Sequence, residues 1–216
     1  MKAVLMDLDG TLINSVPLIL ESVRLTMKEY GFRVSKQKLR ELSQMHSRDI
    51  AYWLMDNKRN NFELEDFIET RRTIFLELLK KEGHTWFYDS KPFIEKVSKK
   101  YKIAVVTGSR WVFLNEVFDE EIKKKISFIV TSDDVEHKKP DVEPIRKTMK
   151  KLRVKRTEIV FIGDSTQDAL MCKRARVGFI AKTTGISTKV QLARFKPIFI
   201  GKNFKQIGHF LGFEKF

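Results

Sequence analysis

Apolar and polar positions along the chain change period twice. Ala3 to Met6 form a short unbroken apolar run, the pattern of a strand buried on both faces. The run ends in Asp7, Leu8, Asp9, Gly10 and Thr11, where the chain must turn. From Pro17 a 3.6-residue stripe takes over: Leu18, Ile19, Ser22, Val23, Leu25 and Thr26 mark a helix that reaches about Tyr30 and stops at Gly31. Ser35 is placed to cap a second helix over 36–42, a polar interval covers 43–48, and further helices are predicted over 49–55 and 64–82. Nothing in 16–83 reads as a strand. A stretch of about 65 to 70 residues is too long for a loop, so it predicts a small helical domain.

From residue 84 strand and helix alternate again. Helix-like Pro92 to Lys100 precedes the apolar run Ile103 to Val106, which ends at Thr107, Gly108 and Ser109. One helix over 113–124 leads to the run Ile126 to Val130, a helix over 143–152 leads to Ile159 to Ile162, and a helix over 169–174 leads to Val177 to Ala181. Short apolar strands separated by helices predict an α/β fold, a three-layer, doubly wound parallel sheet of Rossmann-like type. Its expected extent is 1–15 and 84–216, with the all-helical insertion, 16–83, acting as a cap.

In such sheets the chemistry lies beyond the carboxyl ends of the strands. The polar groups at those ends are Asp7 and Asp9, Thr107 and Ser109, and Gly163 with Asp164 and Asp168. Lys139, before Pro140, reaches the same edge from the loop after the third run. Residues two apart in extended chain point the same way, so Asp7 and Asp9 converge. Like charges that close need a cation, a shared proton or unlike environments. Carboxylates with oxygen partners select a hard cation such as Mg²⁺, which points to a phosphate ester as substrate. One carboxylate can then attack phosphorus. A second, protonated at the start, serves the leaving oxygen and later takes a proton from water. Asp7 and Asp9 fit these two roles.

Composition narrows the setting. Cys172 is the single cysteine, so no internal disulfide forms, and the four histidines show no zinc spacing. Asp7 and Asp9 interrupt any signal-peptide core, and no eighteen apolar residues run together, so a soluble, cytoplasmic protein is expected. The net charge of +14, from 42 Lys and Arg against 28 Asp and Glu, attracts anions. The basic residues lack the interleaved aromatics of a nucleic-acid motif.

The ordered motifs resemble those of the haloacid dehalogenase-like hydrolases, in particular the capped phosphatases of the phosphoglycolate phosphatase and β-phosphoglucomutase kind. The residues that carry the resemblance are Asp7 to Thr11, Thr107 at a strand end, Lys139 before Pro140, and Gly163 to Asp168 in GDSTQD. It implies Asp7 as nucleophile, Asp9 as general acid and base, and Thr107, Gly108 and Lys139 as phosphate binders. Mg²⁺ would be held by Asp7, the backbone carbonyl of Asp9, and Asp164, with Asp168 and Thr11 in support. Arg48 and His46 stand in the cap loop that reads the leaving group in capped relatives, and Arg110 is expected to face the cleft. Val142, Arg176 after Ala175, and Ser43 depart from the usual pattern without touching these groups.

The function expected from this set is Mg²⁺-dependent hydrolysis of a small phosphomonoester through an aspartyl-phosphate. One alternative is phosphoryl transfer of the β-phosphoglucomutase kind. A second, resting on the charge, is nucleic-acid binding or dephosphorylation of nucleic-acid ends. Expected partners are a small phosphorylated metabolite and no membrane, with the chain a monomer or homodimer.

Overall fold

The computed structural model describes residues 1–58 and 62–213. Residues 59–61 of the expected insertion and 214–216 of the expected core lie outside the described residues. The chain divides into two compact units, Met1–Asn14 with Thr85–Phe216, and Ser15–His84.

The unit Ser15–His84 contains α1 (Val16–Glu29), α2 (Lys36–Leu42), α3 (Ser47–Lys58) and α4 (Leu64–Glu82), with no strand among its described residues. Proline in the first turn of α1 needs no hydrogen-bond donor there. Ser35 caps α2 by accepting from the Lys38 N–H at 3.2 Å. α3 begins at Ser47, so the end of the expected polar interval is helical. Val23, Met27, Leu42, Ile50, Leu54 and Phe67 are buried together, with Tyr30, Trp53 and Phe62 packed against them. The rings of Tyr30, Phe62 and Phe67 meet at 4.8 to 5.6 Å. These aromatics therefore serve packing, as their helical spacing implies; Phe75 is half-buried on α4.

The other unit is built on six parallel strands: β1 (Ala3–Met6), β2 (Lys102–Val106), β3 (Phe128–Val130), β4 (Ile159–Gly163), β5 (Gly178–Lys182) and β6 (Phe199–Gly201). Their order is β3-β2-β1-β4-β5-β6. Between them run α5 (Ser90–Ser98), α6 (Trp111–Val117), α7 (Glu120–Lys125), α8 (Glu143–Leu152), α9 (Thr166–Ala175) and α10 (Lys189–Ala193), and α11 (Phe204–Phe210) follows β6. Register sets Leu5 beside Ala104 and Phe161, and Phe161 beside Phe179. That row packs with Ile145 and Leu152 of α8 and Ala169 and Cys172 of α9. Alternate positions such as Val4, Met6, Ile103 and Val105 are equally buried, with α5 against β2 and α11 against β6. A sheet covered on both faces needs apolar side chains at every position, which is why these strands read as continuous runs.

Two departures have local causes. The helix expected over 113–124 is two helices, because Asp119 accepts from the Ile122 N–H at 2.8 Å and starts α7 afresh. Beyond Ala181 the sequence reading assigned nothing, whereas α10, β6 and α11 are present. β6 is a three-residue edge strand with Phe199 and Ile200 only half-buried, too short to show a period. No helix among the described residues is long and apolar enough to cross a membrane.

After β1 the chain builds outward through β2 and β3, then returns to place β4 on the other side of β1. The connections diverge between β1 and β4, which opens a crevice outside their carboxyl ends. Phe67, 1% exposed at the centre of the helical unit, provides a check on the packing. Phe67→Ala should cost about 3–5 kcal/mol, read by urea unfolding; a cost below about 1 kcal/mol would contradict the core assignment.

Candidate active site

β1 ends at Met6, but the Asp7 N–H still donates to the Ile162 carbonyl of β4 at 2.9 Å, so the ladder fixes the base of that side chain. The turn then tightens, with the Leu8 carbonyl accepting from the N–H groups of Leu12 at 2.8 Å and Ile13 at 3.0 Å. Gly10 takes φ +73°, and a Cβ there would lie 2.6 Å from Asp164 Oδ2. Both the conformation and the space require glycine.

Lys139 Nζ donates to Asp7 Oδ1 at 2.6 Å and to Asp168 Oδ1 at 2.7 Å. Lys139 is 6% exposed while Lys138 is exposed, so Lys139 is the inward member of the pair. Asp168 Oδ2 accepts from the Ser165 hydroxyl at 2.6 Å and the Ser165 N–H at 3.2 Å, closing the cap of α9. Asp164, one residue past β4, accepts from Thr11 Oγ1 at 2.7 Å and from the Ile186 N–H at 3.0 Å. One oxygen from each of Asp7, Asp164 and Asp168 lies within 4.8 Å of the others. Asp168, expected in support, is thus the third member of the acidic cluster.

Asp9 occupies a different setting. It is half-buried, and its Oδ2 accepts from Ser109 Oγ at 2.6 Å and from Thr107 Oγ1 at 3.4 Å. Thr107 Oγ1 in turn accepts from the Ser109 N–H at 3.0 Å. Asp9's carboxyl lies outside the acidic cluster, and its expected share in holding a cation was the backbone carbonyl alone. Gly108 is exposed, and nothing lies within 4 Å of where a Cβ would be.

Burial raises the Asp7 carboxyl well above its ordinary value; Lys139 opposes this, and Asp168, Asp164 and Asp9 add to it. Asp164 is raised to about 7, mainly by burial and then by Asp168. Burial alone would lower the Lys139 ammonium, but Asp168 and Asp7 more than reverse that and hold it charged. Buried carboxylates with raised affinity for protons attract any other cation that fits. An all-oxygen set of this size suits Mg²⁺.

Three further expected residues make the following contacts. Arg110 is engaged by Asp133, Nε to Oδ1 at 2.7 Å. In the helical unit His46 is half-buried and its carbonyl accepts from the Ile50 N–H. Arg48 is exposed and 3.7 Å from Glu65. Two groups were missed from sequence, Ser165 on Asp168 and the loop Thr183 to Ile186 on Asp164, while Ser109, noted as a strand-end group, was not paired with Asp9. Polar residues directly after the apolar run ending at Ala181 were the available signal for that loop.

The family model described as haloacid dehalogenase-like hydrolase matches residues 4–182. Pyrophosphatase PpaX of Anoxybacillus flavithermus is 31% identical over 227 aligned residues, spanning 98% of this chain and 97% of that protein. CbbY from Rhodobacter sphaeroides, solved in complex with phosphate, shares the fold with a TM-score of 0.81 at 18% identity, covering 96% of each chain. A hydrolase from Pseudomonas syringae does so with a TM-score of 0.84 at 19% identity, covering 100% of each.

The electrostatics set the pH dependence of the metal-free protein. Asp164 is raised from about 4 when unfolded to about 7 when folded, so the folded state binds more protons across that window and stability falls as pH rises through it. Lys139→Met should cost on the order of 3–5 kcal/mol, because it strands Asp7 and Asp168. The defect should be larger at about pH 8 than at about pH 5, where the raised Asp7 carboxyl takes up a proton. Urea unfolding with a chelator reads this; equal defects at both pH values would contradict the charge assignment.

Proposed function

Because this chain belongs to the haloacid dehalogenase-like hydrolases, we propose that it is a Mg²⁺-dependent phosphatase acting through a phosphoryl-aspartate on Asp7. The observation that carries this reading is the separation of two carboxyls only two residues apart. Asp7 is buried against Lys139 beside Asp164 and Asp168, while Asp9 is held by hydroxyl groups at the rim. Unlike environments are how one site assigns different tasks to similar acids.

Asp7 attacks phosphorus, forming a carboxyl-phosphate bond as the ester oxygen departs, and Asp9 delivers the proton that oxygen needs. Water then attacks the phosphorus of phosphoryl-Asp7, Asp9 recovers a proton from it, and phosphate leaves with Asp7 restored. Lys139 offsets negative charge beside Asp7, and Thr107 with the open Gly108 backbone supplies donors to the phosphoryl oxygens. Mg²⁺ held by Asp7 and Asp164 would neutralise phosphoryl charge and orient the group. Thr11 and the Ile186 N–H hold Asp164 for that task.

The substrate is a small phosphorylated compound, and the PpaX likeness makes inorganic pyrophosphate the first to compare with phosphomonoesters. The buried, unpaired Cys172 suits a reducing, cytoplasmic setting. With an aryl phosphate and Mg²⁺, Asp7→Asn should lower kcat by roughly 10³-fold or more, and Asp9→Asn by roughly 10²- to 10⁴-fold, with unchanged circular dichroism. Full turnover by Asp7→Asn, or a wild type inactive with the aryl phosphate, pyrophosphate and phosphomonoesters alike, would overturn the reading.

A further inference from the structure

Lys182 closes β5 fully buried, yet none of the chemistry above uses it. An ammonium kept from water is costly unless its donors and charge are engaged. Its Nζ donates to Thr184 Oγ1 at 2.7 Å and lies over the rings of Phe87 and Phe204, 3.7 and 4.9 Å from their centroids. Burial pushes it down to about 8, with Asp89 and Asp164 acting in the opposite sense.

Thr184 hands the contact on. A hydroxyl has one proton, and an ammonium has no lone pair to accept it. Oγ1 therefore accepts from Lys182 and directs its own proton to the Gly10 carbonyl, 2.8 Å away. Gly10 is the turn residue between Asp9 and Thr11. The next residue in the loop, Gly185, abuts Asp164 so closely that a Cβ would fall 1.6 Å from its Oδ2. The Ile186 N–H donates to that same oxygen. One short loop thus touches the turn after Asp7 and also Asp164.

We propose that Lys182 and Thr184 are positioning residues. The ammonium orients the Thr184 hydroxyl, which pins the Gly10 carbonyl and holds the turn bearing Asp7, Asp9 and Thr11 against Asp164. This rests on the reading of Asp7 as the reacting carboxyl. Its structural part, the pinning of the turn, is measurable without turnover.

The test uses Lys182→Met, Thr184→Val, Thr184→Ser and the Lys182→Met/Thr184→Val double variant. In metal-free protein, amide exchange across residues 8–13 should quicken about tenfold in Thr184→Val and Lys182→Met, with residues 3–6 unchanged and Thr184→Ser like wild type. With an aryl phosphate and Mg²⁺, kcat should fall about tenfold in either single variant at nearly constant KM. Thr184→Ser should recover most of the loss, and the double variant should be no worse than the poorer single. Wild-type exchange and kcat in Thr184→Val, or losses that multiply in the double variant, would overturn the proposal. If Lys182→Met does not fold, the Thr184→Val and Thr184→Ser pair decides alone. A wild type that releases no phosphate would sink the phosphatase reading, while the exchange data would still decide the pinning.

Discussion

The structure of the site depends on one buried ion triad, Lys139 between Asp7 and Asp168 at 2.6 and 2.7 Å. Taking a carboxylate out of water carries a penalty of several kcal/mol that one good partner only partly offsets. Here two carboxylates share a single ammonium, and a third, Asp164, stands close by. Each carboxylate is therefore further secured: Asp168 by Ser165, Asp164 by Thr11 and Ile186, Asp7 by the strand ladder that fixes its backbone. With Asp7, Asp164 and Asp168 ionised, the single ammonium of Lys139 leaves two negative charges over, the complement of one divalent cation. An arrangement short of positive charge by that amount is poised to take up a divalent metal ion.

The fold makes such an arrangement attainable. Asp7, Thr107 and Asp164 each sit one residue past a parallel strand, and the strand order places those three ends side by side. Sheet hydrogen bonds thus position groups that are distant in sequence, and the loops need only supply the second layer of contacts. Buried side chains on both faces of β1 and β4 give that frame its stiffness. Glycine at 10 and 185 lets backbone approach Asp164 where any side chain would collide. The polar shell is therefore held by packing as much as by hydrogen bonds.

The α/β class and the parallel sheet were legible because strands buried on both faces leave continuous apolar runs, and Asp7, Thr107 and Asp164 stood out as polar residues ending them. Burial, rather than anything in the sequence, shows that Lys139 and not its neighbour Lys138 turns inward. The break at Asp119 was hidden because the apolar period carries across it. The loop Thr183 to Ile186 was marked only by polar residues after the run ending at Ala181, and its backbone and hydroxyl contacts to Gly10 and Asp164 have partners that a single sequence does not name. Ser109 was seen as a strand-end group, yet its partner Asp9 lies a hundred residues away.

The central claim is that Asp7, and no other group, carries the phosphoryl group between substrate and water. Acid quenching of wild-type protein during turnover of a radiolabelled phosphate ester, followed by peptide mapping, tests it most directly. The account predicts acid-stable, hydroxylamine-labile label on the peptide that contains Asp7, absent in Asp7→Asn. Label on a different residue, or turnover of an aryl phosphate, whose leaving oxygen needs little protonation, with no labelled protein when hydrolysis of the intermediate is slowed by Asp9→Asn, would contradict it.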